Sequence, residues 1–81
     1  MMEFEALHVT VLTDEVALSL ETSLRLLPGI ENLWINLQKQ EIQIRFDQSQ
    51  LDFLTLTQVM ARAGCPLRNI NAVLLKDLSQ K

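Results

Sequence analysis

Leu24-Arg25-Leu26-Leu27-Pro28-Gly29-Ile30-Glu31-Asn32-Leu33-Trp34-Ile35-Asn36-Leu37 changes its apolar period at its centre. Upstream of Pro28, the residues Val16, Ala17, Leu20, Leu24 and Leu27 recur every three or four positions, the spacing of one helix face. Thr13 offers a capping hydroxyl, and Asp14 and Glu15 place carboxylates in the first turn, where the helix dipole favours them. Pro28 cannot continue the hydrogen-bond ladder and Gly29 accepts positive φ, so a helix of about 14 residues ends there. Beyond the break, Leu33, Ile35 and Leu37 alternate with Trp34 and Asn36, the period of a strand with one buried face.

Residues 6–12, before the helix, alternate as well: Leu7, Val9 and Val11 are expected to point to the core, and His8, Thr10 and Leu12 away from it. After Leu37 comes a hairpin-length gap, Gln38-Lys39-Gln40, and then Ile42, Ile44 and Phe46 alternate with Glu41, Gln43 and Arg45. Asp47 or Ser49 caps a second helix expected over residues 50–63. Its core side is Phe53 or Leu54, then Leu56, Val59, Met60 and Ala63, and Gly64 stands at the C′ position. Cys65-Pro66 turns the chain into a last strand over residues 68–75, whose Ala72-Val73-Leu74-Leu75 run lacks alternation; residues 76–81 are read as a frayed tail.

The order is βαββαβ. Right-handed crossovers with a hairpin between the middle strands give an α+β, ferredoxin-like sandwich, an antiparallel sheet in order 4-1-3-2 with both helices on one face. The 81 residues are read as one domain with a core over about residues 6–75. This topology gathers the 12–15 turn, the 38–41 hairpin and the 64–66 turn at one end of the sheet.

Composition narrows the function. Hydrophobic residues make up 48% and charged residues 21%, an ordinary folded balance. A net charge of −3 speaks against a nucleic-acid binder, which needs a basic face to displace counterions. Residues 1–41 carry −5 and residues 42–81 carry +2, an asymmetry that can orient a partner or a second copy. One Cys and one His allow no internal disulfide, no closed zinc site and no convincing nucleophile–base pair, so no enzyme and no cofactor are expected. Neither a signal peptide nor a membrane-spanning apolar run is read, which gives the expectation of a cytoplasmic protein with a reduced Cys65 and no membrane insertion.

Leu24-x-x-Leu27-Pro28-Gly29-Ile30-x-x-Leu33-x-Ile35-Asn36-Leu37, then Ile42-x-Ile44-x-x-Asp47, then Met60-x-x-Ala63-Gly64, resembles the heavy-metal-associated domain of copper chaperones and P-type metal ATPases. The resemblance covers roughly residues 6–70 and implies the sandwich above. It also implies a Cys-x-x-Cys metal loop after strand one, because Cu(I) takes two soft thiolates. Counting back from Leu27-Pro28-Gly29 puts those two positions at Thr13 and Val16, so this chain is expected to be a divergent member without the motif.

Trp34 is the only tryptophan, and alternation puts it on the sheet face opposite the helices, where Arg45 can stack on it. Leu12, Trp34, Asn36, Gln43 and Arg45 therefore form the leading interaction surface. The leading function is a non-catalytic module that binds a protein partner, or itself as a homodimer, through this face or an edge strand. A second reading is an atypical soft-metal carrier in which Cys65, placed beside the former metal loop, binds copper across a dimer. A third is an ACT-type domain regulated by a small ligand. His8, in mid-strand about 15 Å from the turn, is a poor fellow ligand for Cys65.

Overall fold

The computed structural model describes residues 1–78. Its elements run β1 (Met2–Val9), α1 (Asp14–Arg25), β2 (Ile30–Asn36), β3 (Glu41–Phe46), α2 (Phe53–Arg62), a short 3-10 turn at Leu67–Asn69, and β4 (Ile70–Asp77). The four strands form one antiparallel sheet in the order β2-β3-β1-β4. The fold is the expected ferredoxin-like βαββαβ sandwich.

β1 departs from the expectation in bounds and in phase. It begins at Met2, and its buried apolar side chains are Phe4, Ala6 and Val9, while Leu7 is only half-buried. Met2-Glu3-Phe4-Glu5-Ala6 carries the true alternation, with glutamates on the solvent face. His8 takes φ 55, and the Val9 N–H donates to Gln40 O at 2.9 Å where the Ala6↔Ile42 register would have led elsewhere. This one-residue slip returns Val9 to the core. His8 is exposed, as expected, though at a turned backbone near the strand end and not in regular mid-strand.

Each helix opens on a side-chain cap. Thr13 Oγ1 accepts the Val16 N–H at 3.3 Å, and Asp52 Oδ1 accepts the Thr55 N–H at 2.7 Å. α2 therefore starts three residues later than expected, because Asp47 is engaged in its own turn, accepting from the Ser49 N–H at 3.0 Å and the Ser49 Oγ at 2.7 Å. α2 ends in a Schellman arrangement: the Gly64 N–H reaches Ala61 O at 3.1 Å, and the Cys65 N–H reaches Met60 O at 2.9 Å.

Between sheet and helices lie Phe4, Val9, Leu20, Leu24, Leu33, Ile42, Ile44, Phe46, Leu56 and Met60, with Val11, Ile35 and Phe53 packed at the margin. Phe4 and Phe53 meet with ring centroids 5.5 Å apart and planes tilted 54°. Leu37, expected inward, is exposed because β2 ends at Asn36 and Leu37 opens the hairpin turn. β4 continues through Asp77, and the Leu78 N–H donates to Met1 O at 2.8 Å, so residues 76–78 are paired with β1 and do not fray. The rest of that expected tail, residues 79–81, lies outside the described residues.

Gly29 joins the two halves. It sits at φ +90 and its carbonyl accepts the Asp47 N–H at 2.7 Å; a Cβ there would lie 3.1 Å from Asp47 O and 3.1 Å from Gln50 Cβ. Gly64, at φ +101, has only Val16 Cγ2 within reach, at 3.4 Å. Gly29→Ala and Gly64→Ala should each cost at least about 1 kcal/mol for the left-handed backbone. Gly29→Ala should cost more, because backbone opposes the added methyl. Urea unfolding midpoints measure the order, and equal midpoints would show that the close approach is not felt.

Candidate functional site

Two places could carry function: the loop end implied by the resemblance, and the sheet face away from the helices. At the loop end the backbone converges as the topology requires. The Val9–Gln40 hydrogen bond ties the end of β1 to the β2–β3 hairpin, and Val16 packs at Gly64. The side chains there are committed to structure. Thr13 caps α1 with its hydroxyl, and Val16 is a half-buried hydrocarbon against the core. Cys65 is fully buried at the C″ position of the Schellman turn, and burial pushes its thiol up to about 11. Among the described residues no three His, Cys, Asp or Glu side chains gather as a metal-binding group. A capping hydroxyl, an isopropyl group and one protonated, enclosed thiol do not make a donor set for Cu(I).

The sheet face has a different character. Pairing places Trp34 opposite Gln43, Asn36 opposite Glu41 and Asn32 opposite Arg45; the next strand puts Glu3 beside Arg45 and Glu5 beside Gln43, and the last puts Lys76 beside Glu3 and Leu74 beside Glu5. Residues opposite one another in a ladder share a face, so these form continuous rows. Arg45 Nη2 donates to Glu3 Oε1 at 3.1 Å, and the Arg45 guanidinium carbon lies 5.9 Å from the Trp34 ring centroid. Lys76 Nζ is 3.7 Å from Glu5 Oε1. The indole is 47% exposed and edges a hollow of about 210 Å³ lined by Trp34, Asn36, Glu41 and Gln43. Glu3, by contrast, is almost covered, and the Arg45 hydrogen bond holds its carboxyl below the usual glutamate range.

Of the residues singled out from sequence, Trp34, Asn36, Gln43 and Arg45 are brought together on this face. Leu12 is not. The chain turns after β1, with the Leu12 N–H donating to Val9 O at 3.1 Å, and this carries the Leu12 side chain into the core, where it is 6% exposed. Glu3 and Glu5 were missed, since β1 was expected to begin after them. Their signal was the strict alternation of 2–6.

No family model matches the chain, and no curated protein sequence matches it either. Solved structures do. Oxidized MerP from Ralstonia metallidurans CH34 superposes with a TM-score of 0.68 at 13% identity, covering 95% of this chain and 97% of that chain. The copper binding domain from HMA7, a P-type ATPase, gives 0.68 at 12% identity over 99% of this chain and 100% of that one. The yeast copper transporter domain CCC2A, solved in apo and Cu(I) loaded states, gives 0.65 at 18% identity over 96% and 97%. The likeness at these identities is one of fold, and the fold is heavy-metal-associated-like. No helix among the described residues is long and apolar enough to cross a membrane.

Two outcomes follow from the protonation states. Because the folded-state value of Glu3 is depressed, the stability it contributes is complete above its ordinary value of 4.5 and is lost as pH falls through the lowered one. Glu3→Gln should therefore flatten the acid limb of a stability–pH curve relative to the parent, as read by thermal melting between neutral pH and pH about 3. An unchanged acid limb would show that the ion pair is not felt. The buried thiol should react with a disulfide reagent at neutral pH only through opening of the fold, so the Cys65 modification rate should rise in step with the unfolded fraction as urea is added. Immediate modification of the native protein would contradict the enclosed position.

Proposed function

We propose that the domain is a non-catalytic protein-interaction module built on a heavy-metal-associated-like fold, which binds a protein partner or a second copy through its open sheet face or an edge strand. The observation that carries this reading is the reassignment of the loop end. Every position at which soft-metal ligation is implied or conceivable there, Thr13, Val16 and Cys65, has a structural task, as cap, packing group or buried C″ residue. Similar structures include domains described as copper-binding, but this chain lacks the thiolates that copper would need. Its sheet face presents an exposed indole braced by Arg45, the kind of aromatic anchor that dominates binding energy in protein interfaces.

The module reading requires that the chain hold Cu(I) no better than an isolated thiol does. Titration of the reduced protein with Cu(I) against a strong chelator should leave the metal on the chelator, and Cys65→Ser should titrate identically. Thr13→Cys combined with Val16→Cys should gain one-to-one binding, which confirms that the loop end is otherwise shaped for it. Tight one-to-one binding by the natural monomer, or one metal per two chains abolished by Cys65→Ser, would overturn the reading in favour of a carrier. Trp34→Ala should weaken the binding of a different protein at the open face by about 2 kcal/mol without lowering the melting temperature, as expected of an exposed anchor.

A further inference from the structure

β4 is an edge strand with an unusual sequence. On a sheet with one solvated face, an edge strand is ordinarily blunted by charge or alternation, yet Val73, Leu74 and Leu75 are consecutive and all are exposed, at 41%, 46% and 45%. Val73 and Leu75 pair with Ala6 and Phe4, so they lie on the helix side, Leu75 edging a hollow it shares with Phe53 of α2, while Leu74 pairs with Glu5 on the open face. A run that is apolar on both faces is the composition of an internal strand.

Resting on the interaction-module reading and naming its partner, we propose that β4 pairs antiparallel with β4 of a second copy, about a two-fold axis at Leu74, to give one continuous eight-stranded sheet. The hydrogen-bond phase permits it. The Leu78 N–H bonds Met1 O, so Leu78, Lys76, Leu74 and Ala72 direct their backbone groups toward β1. Asn71, Val73, Leu75 and Asp77 then direct theirs to the outer edge. An axis at Leu74 sets Val73 opposite Leu75 of the second copy and Asn71 opposite Asp77, and all of these are outward-directed residues.

The side chains select this register among the neighbouring ones. With the axis at Leu74, four apolar residues, Val73 and Leu75 from each copy, meet on the helix side, and the two Leu74 meet on the open side. Lys76 falls beside Ala72 and keeps its own Glu5, 3.7 Å away. Moving the axis to Leu75 opposes Lys76 with Leu74 and Asp77 with Val73, and moving it to Lys76 opposes two ammonium groups. Moving it to Val73 sets Lys76 against Ile70, which is 9% exposed and turned into the core. The strand thus matches apolar surface to apolar surface on both faces and opposes no like charges, which makes a second copy the fitting occupant.

The register has a direct chemical readout. Residues 74 of the two copies would form a non-hydrogen-bonded pair with Cα atoms about 4.5 Å apart, within the range a disulfide spans. In Leu74→Cys, diamide should link the chains nearly completely, taking up the two electrons and two protons of the thiol pair. Leu54→Cys, on the exposed side of α2, should link only at the rate of random collision. The buried Cys65 gives no background. Sedimentation of the parent at high micromolar concentration should report twice the monomer mass, and Val73→Pro, which removes one outward N–H and leaves the β1 ladder intact, should report the monomer mass with unchanged far-UV circular dichroism.

A monomeric parent with no preferential linking at residue 74 overturns the pairing. If Trp34→Ala still abolishes binding of a different protein in that case, the module reading stands without it. A dimer lost in Trp34→Ala but kept in Val73→Pro also overturns edge pairing, and places self-association on the open face. Should Val73→Pro fail to fold, the contrast between the two cysteine variants decides alone.

Discussion

β1 is hydrogen-bonded on both sides, to β3 and to β4, and that double pairing fixes the phase of the whole sheet. Phe4 and Ala6 must face the helices, so Glu3, Glu5 and Leu7 must face away. Once Glu3 is on the open face, Arg45 and Lys76 are its cross-strand neighbours, and Arg45 is held where Trp34 can lie near its guanidinium. The positive φ at His8 is the other half of the constraint. It lets the chain leave the β3 ladder while Val9 stays paired with Ile70 of β4, brings Val9 and then Leu12 beneath the helices, and leads into α1 on the Thr13 cap.

Most of this was legible in the sequence where each residue type had one task. The helix–Pro28-Gly29–strand switch, the alternation of β3 and the C′ glycine at Gly64 follow from local chemistry, and the structure repeats them within a few residues. β1 was misread because residues 6–12 also alternate, with apolar side chains available to both faces. Only the backbone slip at His8 decides between the phases, and although histidine is enriched among non-glycine residues at positive φ, that conformation is too uncommon for one histidine to signal it in a strand pattern. Leu12 followed β1 into error, since its side was assigned by extending an alternation that had already ended. On the candidate surface, Trp34, Asn36, Gln43 and Arg45 were legible because β2 and β3 alternate regularly. Glu3, which fastens Arg45, was hidden by the strand boundary.

The loop end shows how this fold meets its local structural needs without thiolates. The turn after β1 still needs a group to satisfy the first amides of α1, and Thr13 does so with its hydroxyl. The turn after α2 still needs a small, apolar C″ residue over Met60, and Cys65 supplies it. Burial raises its thiol to about 11, which keeps it neutral in a place where a thiolate would be poorly solvated. The same burial that makes Cys65 a good structural residue makes it a poor ligand. The sulfur is therefore explained by packing.

What remains is apolar surface, and its arrangement matters more than its amount. A chain of 81 residues cannot enclose all its large hydrophobic side chains, so isolated exposed leucines such as Leu18 and Leu54 on the helices, and Leu26 just past the end of α1, need no special account. Val73, Leu74 and Leu75 differ because they are contiguous and lie on an edge strand, beside whose outer backbone groups no strand runs among the described residues. A solvated strand gains nothing from an apolar residue on its open face, whereas an internal strand gains from one on each face. Trp34, at the opposite edge of the same sheet, is braced by a charged neighbour and surrounded by amides and a carboxylate. The two edges are therefore chemically unlike. One is apolar and self-complementary along its backbone, and the other is aromatic and polar, so a β4 seam between two copies would leave both Trp34 surfaces open at the far ends of the joined sheet.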